Sequence, residues 1–132
     1  MSFIYYYIKL VCEVTKLLFV NYPKCSTCRK AKKWLDDHNF NYESKHIVDD
    51  NPTALELRTW WEKSDLPLKR FFNTSGMKYR ELKLKDKLPN MSEEEQINLL
   101  ATDGMLVKRP IIVDDDCVLV GFKENEWEEK LL

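Results

Sequence analysis

The chain has 132 residues, with 21 basic and 22 acidic side chains and a formal net charge of −1. That length suits one domain around one core, and the charge balance excludes a global field that would draw it onto nucleic acid or an anionic membrane. Only 3 glycines and 5 prolines exclude a linker-rich or disordered chain.

Met1–Tyr22 is rich in apolar and aromatic residues. It lacks the basic n-region and small-residue cleavage site of a secretory leader. Lys9, Glu13 and Lys16 interrupt it, which excludes a membrane span. Leu17–Val20 is a short apolar run closed by Asn21, Tyr22 and Pro23, and predicts a buried strand and a turn. Cys25–Asn39 predicts a helix. Cys28, Ala31, Trp34, Leu35 and His38 recur at spacings of three and four and form its apolar face. Tyr42, Ser44, His46 and Val48 alternate with polar residues, which predicts a second strand ending in Ile47 and Val48. Together these make a βαβ unit.

Thr53-Ala54-Leu55-Glu56 is a capping box and starts a helix. Ala54, Leu57, Trp60 and Trp61 form its apolar face, with the two tryptophans read as core and rim. The chain breaks at Asp65-Leu66-Pro67. Leu68–Phe72 predicts a short helix, and Asn73-Thr74-Ser75-Gly76 a loop. Ser92-Glu93-Glu94-Glu95 opens another helix, which runs to about Thr102. Pro110 leads into a strand, Ile111–Val113. Asp114-Asp115-Asp116 forms a turn, and Cys117–Val120 returns as an antiparallel partner. A last helix covers Lys123–Leu131. The order is β-α-β, then helices, then β-β-α.

Four cysteines are present: Cys12, Cys25, Cys28 and Cys117. A secreted disulfide scaffold would be denser in cysteine. A structural zinc site needs four ligands, commonly in two close pairs, and here there is one close pair with two histidines. Cys25-Ser26-Thr27-Cys28 without a leader reads as redox chemistry in the cytoplasm. Cys25 falls where a strand gives way to a helix. There the free N–H groups, the helix dipole and Lys24, Arg29 and Lys30 favour thiolate, the nucleophilic form. Cys28 lies one turn on, placed to attack a mixed disulfide on Cys25. The competing reading is a pair of inert core cysteines.

Arg109-Pro110 also reads two ways. The arginine could hold an anion or a carboxylate, or the pair could simply start a strand, where a missing N–H is tolerated. Cys12 and Cys117 read as apolar filler. His38 and His46 read as structural, on apolar or half-buried faces. The Arg29–Lys33 run reads as a solvated helix face or a docking patch for an acidic partner.

Four stretches, NYPKCSTCRKAKKWLDDHNF (21–40), LPLKRFFNTSGMKYRELKLKDKL (66–88), LLATDGMLVKRPIIV (99–113) and VGFKENEW (120–127), resemble the arsenate reductase (ArsC)/Spx family. The match is to its Cys-x-x-Cys branch, named arsenate reductase-like or Spx/MgsR-related. The resemblance implies an α/β thioredoxin-like (glutaredoxin-like) fold, a mixed four-stranded sheet with an inserted helical subdomain. It makes Cys25 the nucleophile, Cys28 its redox-disulfide partner, Arg109 an anion-binding residue and Pro110 the cis-proline facing the active cysteine. Arsenate-reducing members place three arginines around the oxyanion. Only Arg109 matches that set. Asn73 stands in the place of another, with Arg70 nearby in a different helical phase, and no arginine stands near Gly121-Phe122. The implied function is thiol–disulfide exchange with arsenate reduction weak or absent; the alternative is an Spx-type redox regulator that binds RNA polymerase. No bound cofactor or metal is expected. The implied partners are a thiol or disulfide substrate and an electron donor, glutathione with glutaredoxin or thioredoxin. Direct nucleic-acid or membrane binding is not expected, and the chain is expected to be a monomer. The family's first strand matches from Thr15. Residues 1–14 therefore read as an N-terminal extension, with Val14 a candidate start, and 15–132 as a single domain. Deleting residues 1–13 is expected to change stability little.

Overall fold

A computed structural model describes residues 17–132. The expectations for the N-terminal extension and for Cys12 lie outside these residues. β1 (Leu17–Asn21) leads through a turn into α1 (Ser26–Asp37), then β2 (Tyr42–His46) and α2 (Ala54–Ser64). A 3-10 turn (Leu68–Phe71), α3 (Met77–Glu81), α4 (Leu84–Lys87), a second 3-10 turn (Leu88–Asn90) and α5 (Glu93–Leu100) form the inserted helical part. A third 3-10 turn (Gly104–Leu106) precedes the hairpin of β3 (Ile111–Val113) and β4 (Val118–Val120), and α6 (Glu124–Leu131) closes the chain.

The sheet order is β2-β1-β3-β4. β1 runs parallel to β2 and antiparallel to β3, and β3 runs antiparallel to β4. This is the mixed four-stranded α/β sheet that the sequence predicts. Its two faces follow from the period of two along a strand. Leu17, Phe19, Ile112 and Leu119 point to one side, where Ala31, Trp34 and Leu35 of α1 and Trp127 of α6 cover them. Val20, Ile111, Val118 and Val120 point to the other, under Leu57 and Trp60 of α2 and the inserted helices.

Both predicted capping boxes are present, Thr53 with Glu56 and Ser92 with Glu95. Asp65 ends α2 in the left-handed conformation. Four details differ from expectation. β2 stops at His46, because the Ile47 N–H bonds the Asn21 carbonyl at 2.8 Å while the chain already turns. β4 starts at Val118 rather than Cys117. His38 is exposed: it is the C-cap of α1, and its ring stacks on Trp34 with centroids 4.2 Å apart. α3 and α4 occupy residues 77–87, where the sequence reading placed no element.

Gly104 packs directly on the turn after β2. A Cβ there would overlap the backbone carbonyl oxygen of Ile47 and lie 3.1 Å from Asn51 Oδ1. Backbone cannot move aside as a side chain can. Gly104→Ala is therefore expected to destabilise the protein by about 3 kcal/mol, at the upper end for overpacking. Urea denaturation checks this, and an unchanged midpoint would show that the two segments separate freely.

Candidate functional site

The site begins with a turn between β1 and α1. The Cys25 N–H donates to the Tyr22 carbonyl at 2.9 Å, across Pro23 and Lys24. Cys25 is then the N-cap of α1, in extended conformation (φ −89°, ψ 123°). Its carbonyl accepts from the Arg29 N–H at 3.0 Å. Its side chain makes no capping bond. The sulfur therefore sits over the free N–H groups of the first turn, at the positive end of the helix.

Cys25 is half-buried and Cys28 is buried at 2% exposure; both are free thiols. Partial burial on its own would raise the Cys25 thiol. The first-turn backbone and thiol of Cys28, the Arg109 side chain and the Thr27 backbone favour the thiolate and outweigh it, so Cys25 lies below the ordinary thiol range. Burial pushes Cys28 up to about 12, against the Tyr22 N–H that donates to it, and the neighbouring Cys25 charge adds to the rise. The Tyr22 N–H lies 3.5 Å from Cys28 Sγ. One turn of helix thus holds two thiols of opposite character.

Arg109 lies just before β3, the strand that pairs with β1. Its guanidinium carbon lies 5.2 Å from the centre of the Tyr22 ring, a cation–π distance. Its Nε and Nη1 are buried with no protein acceptor. Tyr22 therefore touches both halves of the site, with its N–H on Cys28 and its ring under Arg109. The Arg109–Pro110 peptide bond is cis and Pro110 is buried. Asn73 reaches the site through Arg109: both line a groove of about 560 Å³ that also holds Met77, Lys78, Asp103 and Met105 but not Cys25. The Asn73 N–H is fixed to the Leu106 carbonyl at 2.8 Å.

Several neighbours escape a sequence reading. A single antiparallel bridge joins Phe72 to Val107, and the Lys108 N–H donates to the Phe71 carbonyl at 2.8 Å. This stitch brings Arg70 beside Lys108. On the other flank, Gly121 takes a positive φ of 81°, a conformation that favours glycine. Its N–H donates to the Pro110 carbonyl at 2.8 Å, and its carbonyl accepts from Trp127 Nε1 at 3.1 Å. The turn delivers Lys123. Arg70, Lys108, Arg109 and Lys123 then line one hollow of about 470 Å³ with Thr27 of α1.

Cys117 stands apart, just before β4. Burial raises its thiol, and Asp114 and Asp116 add to the rise. Among the described residues, no group of three His, Cys, Asp or Glu is arranged to hold a metal ion. No helix among them is long and apolar enough to cross a membrane.

The sequence profile described as the ArsC family matches residues 20–130. The chain belongs to the ArsC family. The chain is similar to YusI of Bacillus subtilis (strain 168), with 59% identity over 113 residues, 86% of this chain and 96% of that protein. It is also similar to a crystal structure of an ArsC family related protein from Bacteroides fragilis. That match has 62% identity and a TM-score of 0.85, and covers 87% of this chain and 97% of the other. The global transcriptional regulator Spx of Staphylococcus epidermidis (strain ATCC 35984) is 30% identical over 105 residues, 79% of this chain and 78% of Spx. The expected thioredoxin-like architecture thus accompanies the expected family.

Proposed function

We propose that this ArsC-family chain is a thiol–disulfide redox protein, with Cys25 as nucleophile and Cys28 as resolving cysteine. The observation that carries the reading is the split between the two thiols within one helical turn: Cys25 lowered and half-exposed, Cys28 raised and buried. The Cys25 thiolate attacks one sulfur of a substrate disulfide. A new S–S bond forms, the old one breaks, and the departing thiolate takes a proton from water. Cys25 then carries no charge, so one cause of the raised Cys28 thiol disappears. Cys28 loses its proton more easily, attacks the Cys25 sulfur and releases the second substrate thiol. The protein is left as the Cys25–Cys28 disulfide, and a dithiol donor of the glutaredoxin or thioredoxin class, or two glutathiones, returns two electrons. Arg109 steadies negative charge at the sulfur, Pro110 shapes the wall facing it, and Asn73 extends the anion-binding edge.

The test is reduction of a small mixed disulfide coupled to glutaredoxin or thioredoxin. Turnover is expected in the native protein and none in Cys25→Ser. Arsenate is expected to turn over slowly or not at all. Each missing charge-assisted contact to an anion costs about 1.5–3 kcal/mol, tenfold or more in affinity. Asn73 supplies a neutral amide, and lysine supplies a point charge rather than a planar fork. Robust reduction at micromolar arsenate would overturn that part.

The 30% identity to Spx favours one second reading, a redox-switched regulator that binds RNA polymerase. It predicts no turnover, and an affinity for the polymerase that changes when Cys25 and Cys28 join.

A further inference from the structure

Positive charge is concentrated beside Cys25, although the whole chain carries a net charge of −1. The hollow of about 470 Å³ with Arg70, Lys108, Arg109 and Lys123 adjoins another of about 360 Å³, lined by Lys69, Arg70 and Lys108 with Pro67, Phe72 and Thr74. The two share Arg70 and Lys108. No carboxylate of a described residue lines either one. None of the five cations forms an ion pair with another described residue, while Lys32, Lys33, Lys45 and Lys78 all do. The track thus brings together five cations that have no ion-pair partner among the described residues, with no carboxylate in its lining.

The track is longer than one small anion needs. It leads from Lys69 to Arg109, whose charged side chain favours the thiolate of Cys25. A ligand that uses all of it must carry several negative charges in an extended arrangement. It must also present sulfur to Cys25. Nucleic acid supplies the first property but not the second. A polypeptide with acidic residues beside a cysteine supplies both.

We propose that the substrate is a protein or peptide disulfide whose cysteine is flanked by acidic residues, and that Lys69, Arg70, Lys108 and Lys123 dock the acidic flank while Cys25 attacks the sulfur. The proposal rests on the redox reading given above and names its substrate class. The step balances as that reaction does: the Cys25 thiolate bonds to the peptide sulfur, the peptide's former S–S bond breaks, and the leaving thiolate departs with the electron pair.

Three synthetic peptides test it. Each carries one cysteine as the mixed disulfide with thionitrobenzoate, flanked by acidic, neutral or basic residues, and release of thionitrobenzoate by the full-length protein is followed. The acidic peptide is expected to react at least about tenfold faster than the basic one at low salt, with the neutral one between, as complementary charge raises encounter rates. The difference is expected to shrink at about 0.5 M salt, where the screening length falls to a few ångströms. Arg70→Glu with Lys108→Glu should invert the order. Lys69→Glu with Arg70→Glu changes only exposed positions and should invert it too, so a folding defect in the first variant leaves the test intact. Equal rates for all three peptides would overturn the docking proposal and leave the redox reading standing. No release from any peptide would overturn both. Stronger inhibition of the acidic-peptide reaction by a single-stranded oligonucleotide, or by a small dicarboxylate disulfide, than by a cysteine-free acidic peptide would also overturn it, because the track would then serve another anion.

Discussion

Iodoacetamide is expected to modify Cys25 at least about thirtyfold faster than Cys28 at pH 7, by thiolate chemistry alone. With Cys28 at about 12, roughly one thiol in 10⁵ is ionised at neutral pH. A thiol at the ordinary value of 9.0 has about one in a hundred ionised, and Cys25 lies below that value. The thiolate ratio is then about a thousand or more. The more acidic sulfur is the weaker nucleophile, and three units of acidity return a factor of about 16–30. Ionisation wins, and burial slows Cys28 further. The Cys25 rate should climb with pH through a midpoint below 9.0 and level off, while Cys28 should stay slow well into alkali. Mass spectrometry of each cysteine reads both profiles. Equal rates, or a Cys25 midpoint at or above the ordinary thiol value, would remove the ground for any redox role.

The same pair sets a sign for stability. Between its own lowered value and 9.0, Cys25 has lost its proton in the native state but keeps it when unfolded, so stability rises with pH. Cys28 does the reverse. From 9.0 to about 12 the native state holds a proton that the unfolded chain has released, and stability falls. The contribution of the reduced pair therefore peaks near pH 9 and vanishes on oxidation. Urea titrations of the reduced and oxidised protein read the difference.

The second large effect centres on Arg109. Arg109→Ala is expected to slow thiol exchange at neutral pH by tenfold or more, the equivalent of one hydrogen bond to a charged group, about 1.5–3 kcal/mol. It should also move the alkylation midpoint of Cys25 upward. Tyr22→Leu keeps the backbone N–H to Cys28 but removes the ring beneath the guanidinium. It should reproduce part of both effects, whereas Tyr22→Phe should reproduce neither, since a phenyl ring keeps the π face. A Tyr22→Leu protein with an unmoved Cys25 midpoint would show that Arg109 holds its place without the ring.

Much of this site was legible in the sequence because its chemistry lies within one short segment. Cys25 and Cys28 announce themselves by spacing at a strand-to-helix junction, and Arg109-Pro110 by its match to a family motif. The cation track was not legible. Lys69 and Arg70 meet Lys108 through one backbone bridge, and Lys123 arrives on a turn that one glycine permits; no local pattern encodes either meeting. In the fold, capping boxes marked α2 and α5 because their signal is local. α3 and α4 lack side-chain caps and are separated by Lys83 in the left-handed conformation, so they have neither a clear start nor enough length for a periodic stripe. Ile47 looked like strand because it is apolar, yet its burial comes from the turn that Gly104 packs against. His38 kept the helical spacing but fell at the C-cap of α1, where the period no longer decides exposure.

The alternation of side chains through the sheet has a consequence for how such a chain can vary over generations. Trp34, Leu35 and Trp127 share one cluster, and Leu57, Trp60 and Phe71 share the other, with the strands between them. Substitutions within a cluster must accommodate one another, while those on opposite sides share no cluster and should combine closer to additively. The layer that carries Cys28 and the layer that carries Arg70 can thus drift on separate schedules. A lineage can rebuild the inserted helices, and with them what docks there, while the packing behind the redox helix is inherited unchanged.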